Sequence, residues 1–510
     1  MKITSGFLLL GIACCGVAAA AVAPAGADPA STASDTAPAP TAFAGPRPHP
    51  VLDWGQGDAR SYWVPALDVA GFEVLLNRFD HYVEDKATYP AMWDNLHTNL
   101  HRAWVVDNDK FATNQFLHPY QGATYQGFAR SAGLDFWQSS AYTFGGSLLW
   151  EMAGENTAPS VNDLIATGVG GNFLGEPLFR LASLMLQSDP RGEPGLLREI
   201  GAAILSPSTA FNRLAYGGRF RGVFPSYNPA VFTRIDVGGI LNTHYTTNVN
   251  VNADPSAPPV YQPLSRGTAS IDFSVAYGLP GKPDYDYARP FDYFNLEVGA
   301  DTANGLETLF SRGLLKGTDY AIGDNYRGIW GLYGLYDYSA PNVFRVSNTA
   351  GALGTTGQLW LSHKVALQGT ALGGVGYAGG GIIRGAGLTA PSPNGEGQRN
   401  YHYGVAPEGL VALRLIMGDR AALDATARGY YISRVGASES TGSETLDRID
   451  VALTVRVYSL HGLTLRFSRS QRDGRYTNEP DSHQSVRSLV LSYTLLGHDY
   501  FGAVDWRKAD

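Results

Sequence analysis

Two periodicities divide the chain. From residue 60 to 214 apolar residues recur at the three- and four-residue spacing of helices, and from residue 231 onward they alternate with polar ones, the period of two that a strand imposes. In the first part, YWVPALDVAGFEVLLNRFDHYV predicts an amphipathic helix after Pro65, and PAMWDNLHTNLHRAWV a second. Two more, rich in small residues, are expected within 120–156, and a further pair at 160–187 and 195–205. In the second part, DRIDVALTVRVYS sets Ile449, Val451, Leu453, Val455 and Val457 on one face and Arg448, Asp450, Thr454 and Arg456 on the other.

Twelve strands are predicted: 231–245, 266–278, 292–300, 305–317, 326–338, 343–361, 364–378, 403–417, 421–435, 447–460, 463–471 and 486–499. The long polar connections (246–265, 379–402, 436–446, 472–485) all follow odd strands. Those after even strands are mostly as short as Ser362-His363, Gly418 to Arg420 or His461-Gly462. Alternation alone also fits a soluble sandwich. An even strand count with long loops on one rim and short turns on the other is the layout of an outer-membrane barrel, and it puts both barrel ends at the short-turn, periplasmic rim. Tyr333, Tyr336, Tyr338, Tyr430, Tyr431, Tyr458, Tyr493, Tyr500 and Phe501 fall near strand ends, as an interfacial girdle would. Inward charges of both signs, among them Arg234, Asp236, Glu297, Arg312, Arg414, Asp424, Arg428, Arg448, Asp450, Arg456 and Arg466, point to a lumen of mutually paired groups, with a polar conduit or binding cavity as the functional alternative.

The fold class is therefore α+β: an N-terminal all-helical module (51–214), then an antiparallel transmembrane β-barrel of about 12 strands (231–501) and a C-terminal tail (502–510). Outer-membrane proteins do not span by helices, so the module is periplasmic, surface-lying or inserted into the barrel; the expected place is at or in the periplasmic mouth.

Composition adds the compartment. Met1 and Lys2, the apolar FLLLGIACCGVAAAAVA and Ala25-Gly26-Ala27 have the layout of a secretory signal over residues 1–27, and residues 28–50 are an Ala/Pro-rich linker expected to be disordered. Lipidation at Cys14 or Cys15 lacks the usual Leu three residues upstream. Both cysteines lie in the signal, which excludes disulfides, zinc-thiolate sites and cysteine nucleophiles from the exported chain. The net charge of −8 without a long basic run excludes nucleic acid as a partner. No cofactor is expected. The expected partners are outer-membrane lipid and, during biogenesis, the barrel-assembly machinery; a small-molecule ligand is left unidentified.

Candidate chemistry concentrates in GGSLLWEMAGENTAPSVNDLIATGVGGNFLGE, residues 145–176, where acids interrupt an apolar run. A buried acid needs a partner or a task. Ser160 is a good N-cap, with Asp163 at the third helical position forming an approximate capping box. Gly171 and Gly175 permit close helix approach, Pro177 is expected to bend or restart the helix, and Glu176 and Arg180 form an i, i+4 pair. Glu151 and Glu155 share a face and have no cation nearby in sequence; Arg130, Arg180, His118 or a metal are the candidates. In the structural reading His118-Pro119-Tyr120 is a turn, and Arg130 and Arg180 neutralise Glu151 and Glu155. In the alternative, an envelope hydrolase or lipid-modifying enzyme, His118 is the general base, Glu151 or Glu155 orients it or binds a cation, and Asp163 or Arg180 contacts a head group. No G-x-S-x-G elbow surrounds Ser147 or Ser160, and no HExxH-like spacing supports a metal on His118, Glu151 and Glu155.

The strings WVVDNDKFATNQ, FATNQFLHPYQGATYQGFARSAG, GSLLWEMAGE, PSVNDLIATGVGG and GEPLFRL together resemble a bacterial family of unknown function, the one numbered 3943. The resemblance covers about residues 60–190, with its signature in 104–180. Its signature positions here are Asn114, His118, Tyr120, Gly122, Arg130, Gly146, Ser147, Trp150, Glu151, Glu155, Ser160, Asn162, Asp163, Gly170, Gly171, Gly175, Glu176 and Arg180. The resemblance implies a Gram-negative envelope protein without established activity, a helical module followed by a β-rich region. It carries over no catalytic residue.

Overall fold

The computed structural model describes residues 50–107, 109–187, 194–247, 260–263, 268–302, 305–341, 344–382, 401–433, 442–476, 481–498 and 500–508. The expected signal and nearly all of the linker lie outside the described residues. The helical module comprises α1 (Trp63–Val83), α2 (Met92–Asn99), α3 (His118–Ser131), α4 (Phe136–Leu149), α5 (Val161–Ile165), α6 (Gly171–Gln187), α7 (Leu196–Leu205) and α8 (Pro207–Ala215). Three π-helical turns, Thr113–Leu117, Trp150–Gly154 and Ala166–Gly170, lead into α3, extend α4 and join α5 to α6. His118, Pro119 and Tyr120 are thus the first residues of α3 rather than a turn, since proline is tolerated at the start of a helix.

The strands are β1 (Val231–Thr247), β2 (Val260–Pro263), β3 (Thr268–Tyr277), β4 (Phe294–Asp301), β5 (Gly305–Ile322), β6 (Tyr326–Ser339), β7 (Phe344–Trp360), β8 (Val365–Ile382), β9 (Tyr401–Met417), β10 (Ala421–Ile432), β11 (Gly442–Tyr458), β12 (His461–Tyr476) and β13 (Ser482–Leu496). Each pairs antiparallel with its neighbour, and β1 pairs with both β3 and β13, which closes a barrel of twelve strands; β2 is a short addition to the long-loop end of β1. All twelve expected strands are present, with ends displaced by no more than five residues.

Strand alternation fixes the two faces of the wall. Ion pairs across the lumen identify the inner one: Arg234 of β1 to Asp424 of β10 (2.7 Å), Arg428 of β10 to Asp337 of β6 (3.3 Å), Arg448 of β11 to Glu307 of β5 (3.4 Å), and Arg466 of β12 to Asp272 of β3. These charges fill the lumen and leave a cavity of ≈ 150 Å³ among them. The tail closes the short-turn mouth. Val504 carbonyl accepts from Gln358 (2.6 Å) and Trp360 (3.1 Å), Gly502 carbonyl accepts from Gln368 (2.8 Å), and Phe501 packs with Phe232, Trp360 and Ile416. Toward the other rim, the inward residues Phe344, Val346, Ile432 and Leu446 belong to one buried cluster.

The helical module lies along the outer wall, not at or in the mouth. Residues of the outward parity meet it: Ser311 hydroxyl donates to Phe173 carbonyl (2.6 Å), Tyr336 hydroxyl to Gln115 carbonyl (2.5 Å), Gln115 amide donates to Tyr403 (2.9 Å), and the Phe111 ring packs on Tyr338 and Tyr401. The wall supplies small residues and tyrosines where helices dock, and the mouth is already occupied by the tail. The girdle expectation is corrected with it. Tyr336 and Tyr338 are buried under helices, Tyr333 and Tyr430 face the lumen, and Phe501 sits in the tail cluster, which leaves Tyr431, Tyr458, Tyr493 and Tyr500 exposed.

Pro177 does not interrupt α6. Having no N–H, it leaves the carbonyl of Phe173, four residues earlier, without an intrahelical donor. That carbonyl is the one Ser311 of the wall satisfies, so the helix irregularity written in the sequence is a docking point.

Candidate functional site

The α3–α6 crossing organises the module. A Cβ at Gly171 would stand 2.6 Å from the Gly122 Cα, one at Gly122 2.0 Å from the Thr167 carbonyl oxygen, and one at Gly175 2.1 Å from Gln126 Oε1. Only glycine allows this approach, as the GxxxG spacing predicts. Beside it lies a fully buried ion network. Glu176 accepts from Arg130 Nε (2.7 Å) and Arg180 Nε (2.8 Å), and Arg180 reaches Asp292 (2.9 Å) and the Pro290 carbonyl (2.6 Å) in the β3–β4 connection. Burial raises the Glu176 carboxyl, but the Arg130 and Arg180 guanidiniums outweigh it and hold the group below its ordinary value. The i, i+4 pair is therefore present and extended to a four-residue chain that ties helix to barrel.

Arg130 and Arg180 consequently do not neutralise Glu151 and Glu155. Among the described residues neither glutamate forms an ion pair. Glu151, 1% exposed, accepts the Ser160 backbone N–H (2.7 Å), while the Ser160 hydroxyl accepts the Asp163 N–H (3.2 Å) as the expected N-cap. Glu151 thus supplies the second half of the capping box, the half expected from Asp163. Asp163 instead accepts from the Asn162 amide (2.9 Å), which also bonds Tyr403 of the wall (2.9 Å). Asn114 joins Asp107 (2.9 Å) and Tyr401 (2.9 Å). Burial, followed by mutual repulsion among these acids, raises Glu151 and Asp163 well above the carboxylate range and Glu155 to about 8. Held neutral, they cost far less to bury.

His118 is 8% exposed, its Nδ1 lacks a hydrogen-bond partner, and burial lowers its pKa to about 4, against Asp107 and Gln121. A ring so readily deprotonated is a weak base. It does not line the lumen cavity, and neither do Glu151, Glu155 and Asp163. Among the described residues no group of three His, Cys, Asp or Glu is placed to hold a metal ion. Tyr120 stacks on Phe116.

Sequence reading missed a second layer of buried polar groups. Asn77 and Asn95 donate to the carbonyls of Gly154 (2.6 Å) and Ala153 (3.0 Å), and Asn99 to those of Glu151 (3.2 Å) and Glu155 (3.0 Å), so α1 and α2 cap the π-helical turn after α4. Glu73 accepts from Tyr125, is fully buried, and is raised to about 8 by burial. Their signal in the sequence is the i, i+4 spacing of Glu73 and Asn77 in α1 and of Asn95 and Asn99 in α2.

The fold and site together define a twelve-stranded barrel with a charge-filled lumen and a polar-cored helical bundle on its outer wall. A family model described as "Domain of unknown function (DUF3943)" matches residues 103–208, which bears out the resemblance carried by the motif strings. Among curated proteins none matches the chain. Among solved structures, the chain is similar to the outer membrane protease OmpT of Escherichia coli (8% identity, 52% of this chain and 96% of that one, TM-score 0.18). It is also similar to OccK9 (OpdG) of Pseudomonas aeruginosa (12%, 52% and 98%, TM-score 0.17) and to the translocator domain of autotransporter NalP of Neisseria meningitidis (14%, 52% and 89%, TM-score 0.23). With TM-scores at this level, the barrel class rests on strand order and closure.

Proposed function

We propose that the protein is an outer-membrane barrel whose role is structural or docking rather than conducting, with the helical module as its distinctive surface. The observation that carries this reading is the filled lumen: cross-barrel ion pairs occupy it and the tail is bound in one mouth. Membrane placement is supported by the even strand count, the asymmetric loop lengths, and an uncovered outer wall of apolar residues such as Val411, Leu453, Val457 and Leu465. The partners that follow are outer-membrane lipid around the wall and the assembly machinery that inserts it. The hydrolase alternative gains nothing from the geometry, since His118, Glu151 and Glu155 form neither a dyad nor a metal site.

Planar-bilayer recording of the purified full chain tests the reading. The expected result is no steady open-channel conductance. Stable, reproducible single-channel steps would overturn it.

A further inference from the structure

We infer that the helical module sits within the bilayer beside the barrel, its outer face solvated by lipid acyl chains. The inference rests on the reading of the barrel as membrane-embedded, and three observations carry it.

The first is polarity. In α1, α4, α7 and α8 every exposed residue is Ala, Gly, Val, Leu, Ile, Phe, Trp or Tyr; none is charged, and none is an amide or an aliphatic hydroxyl. The exposures are large: Trp63 80%, Leu67 68%, Leu197 80%, Leu214 84%. The same helices turn Asp68, Glu73 and Asn77, Ser139 and Thr143, and Asn212 and Arg213 inward. A helix packed in water shows the reverse arrangement. A surface this apolar and continuous marks a partner.

The second is the interior. Helices gain little from burying apolar groups when the surroundings are hydrocarbon, so they associate through small residues and satisfied polar contacts. The Gly122–Gly171 crossing, the Glu176 network and the asparagine caps of the π-helical turn are contacts of that kind.

The third is height. The module touches Tyr401 and Tyr403 at the long-loop end of β9 and Asp292 in the β3–β4 connection at the opposite rim, so it runs the length of the wall. Wherever the strands meet hydrocarbon, so do the helices. No described helix is long and apolar enough to cross a membrane by itself; the barrel wall and neighbouring helices cover the polar faces instead. Charged and polar exposure returns at Glu84, Asp85 and Lys86 after α1 and at Asp94 and His97 in α2, where the module reaches water.

Nitroxide labels on single cysteines introduced as Leu67→Cys, Leu197→Cys and Leu214→Cys, in full-length protein carrying Cys14→Ser and Cys15→Ser and reconstituted into phosphatidylethanolamine–phosphatidylglycerol vesicles, test the inference. Leu465→Cys on the bare wall serves as the lipid reference and Lys86→Cys as the water reference. Each substitution is at a surface position, and heat-modifiable mobility verifies the folded barrel. Expected are high oxygen and severalfold lower nickel-chelate collision rates at the three helix positions, matching Leu465. Nickel access like that of Lys86, with Leu465 still lipid-like, overturns the inference and leaves the barrel reading intact. Immobile labels reached by neither reagent also overturn it, by showing a second protein surface there. Nickel access at Leu465 itself overturns the membrane reading.

Discussion

Glu176→Ala is expected to loosen the helical module from the barrel, at a cost of about 3–5 kcal/mol, the range for removing one partner from a buried ion pair. Glu176 lies between two guanidiniums that are 3% and 1% exposed. Without it Arg180 retains Asp292 and the Pro290 carbonyl, but Arg130 retains the Leu134 carbonyl and the faces of Phe179 and Phe224 and no carboxylate, a charge without a counter-ion in the α3–α6 core. The barrel has its own closed hydrogen-bonding and its own ion pairs. Limited proteolysis of the detergent-solubilised protein should therefore show residues 118–187 becoming susceptible while heat-modifiable mobility is kept. Wild-type protection in the variant would show that the network contributes little.

The second large effect is a pH dependence opposite to that of most proteins. Burial raises Glu73 from an ordinary 4.5 to about 8, and Glu155 is raised likewise. Between these values the folded module holds protons that the unfolded chain has released. Its stability is then greatest below pH 4.5 as far as these groups go and falls as pH rises toward 8, by up to about 1.4 kcal/mol per pH unit for each group. Urea-induced loss of the helical signal should shift to lower urea between pH 5 and pH 8, and Glu73→Gln should flatten the slope. A midpoint that rises with pH would sink the assignment of Glu73 as a buried neutral acid.

The twelve strands were legible because alternation and turn length are local properties, and the lumen charges fall on one parity of each strand. Placement of the module was not legible, for a physical reason. Tyr336, Tyr338, Tyr401 and Tyr403 have the composition and position of an interfacial girdle, and nothing local distinguishes a tyrosine that meets lipid from one that meets a helix. The polarity of α1 was ambiguous in the same way. Its period puts Glu73 and Asn77, four residues apart, on one face, but which face points inward depends on whether water or something apolar lies outside. The Ser160 cap and the Glu176–Arg180 pair were read correctly since both are closed within four residues. Glu151 finds its partner nine residues away, in the backbone N–H of Ser160, which no residue type announces.

Contact between module and wall is the feature from which the rest follows, and a designed disulfide measures it directly. A Cβ built at Gly170 stands 3.1 Å from Thr349 Oγ1 on the outer face of β7, and the chain has no cysteine beyond Cys15. A Gly170→Cys, Thr349→Cys double variant, oxidised in the membrane and cleaved between module and barrel, is expected to stay joined until reduced. Free thiols in a folded, heat-modifiable barrel would contradict the placement of the helices on the outer wall.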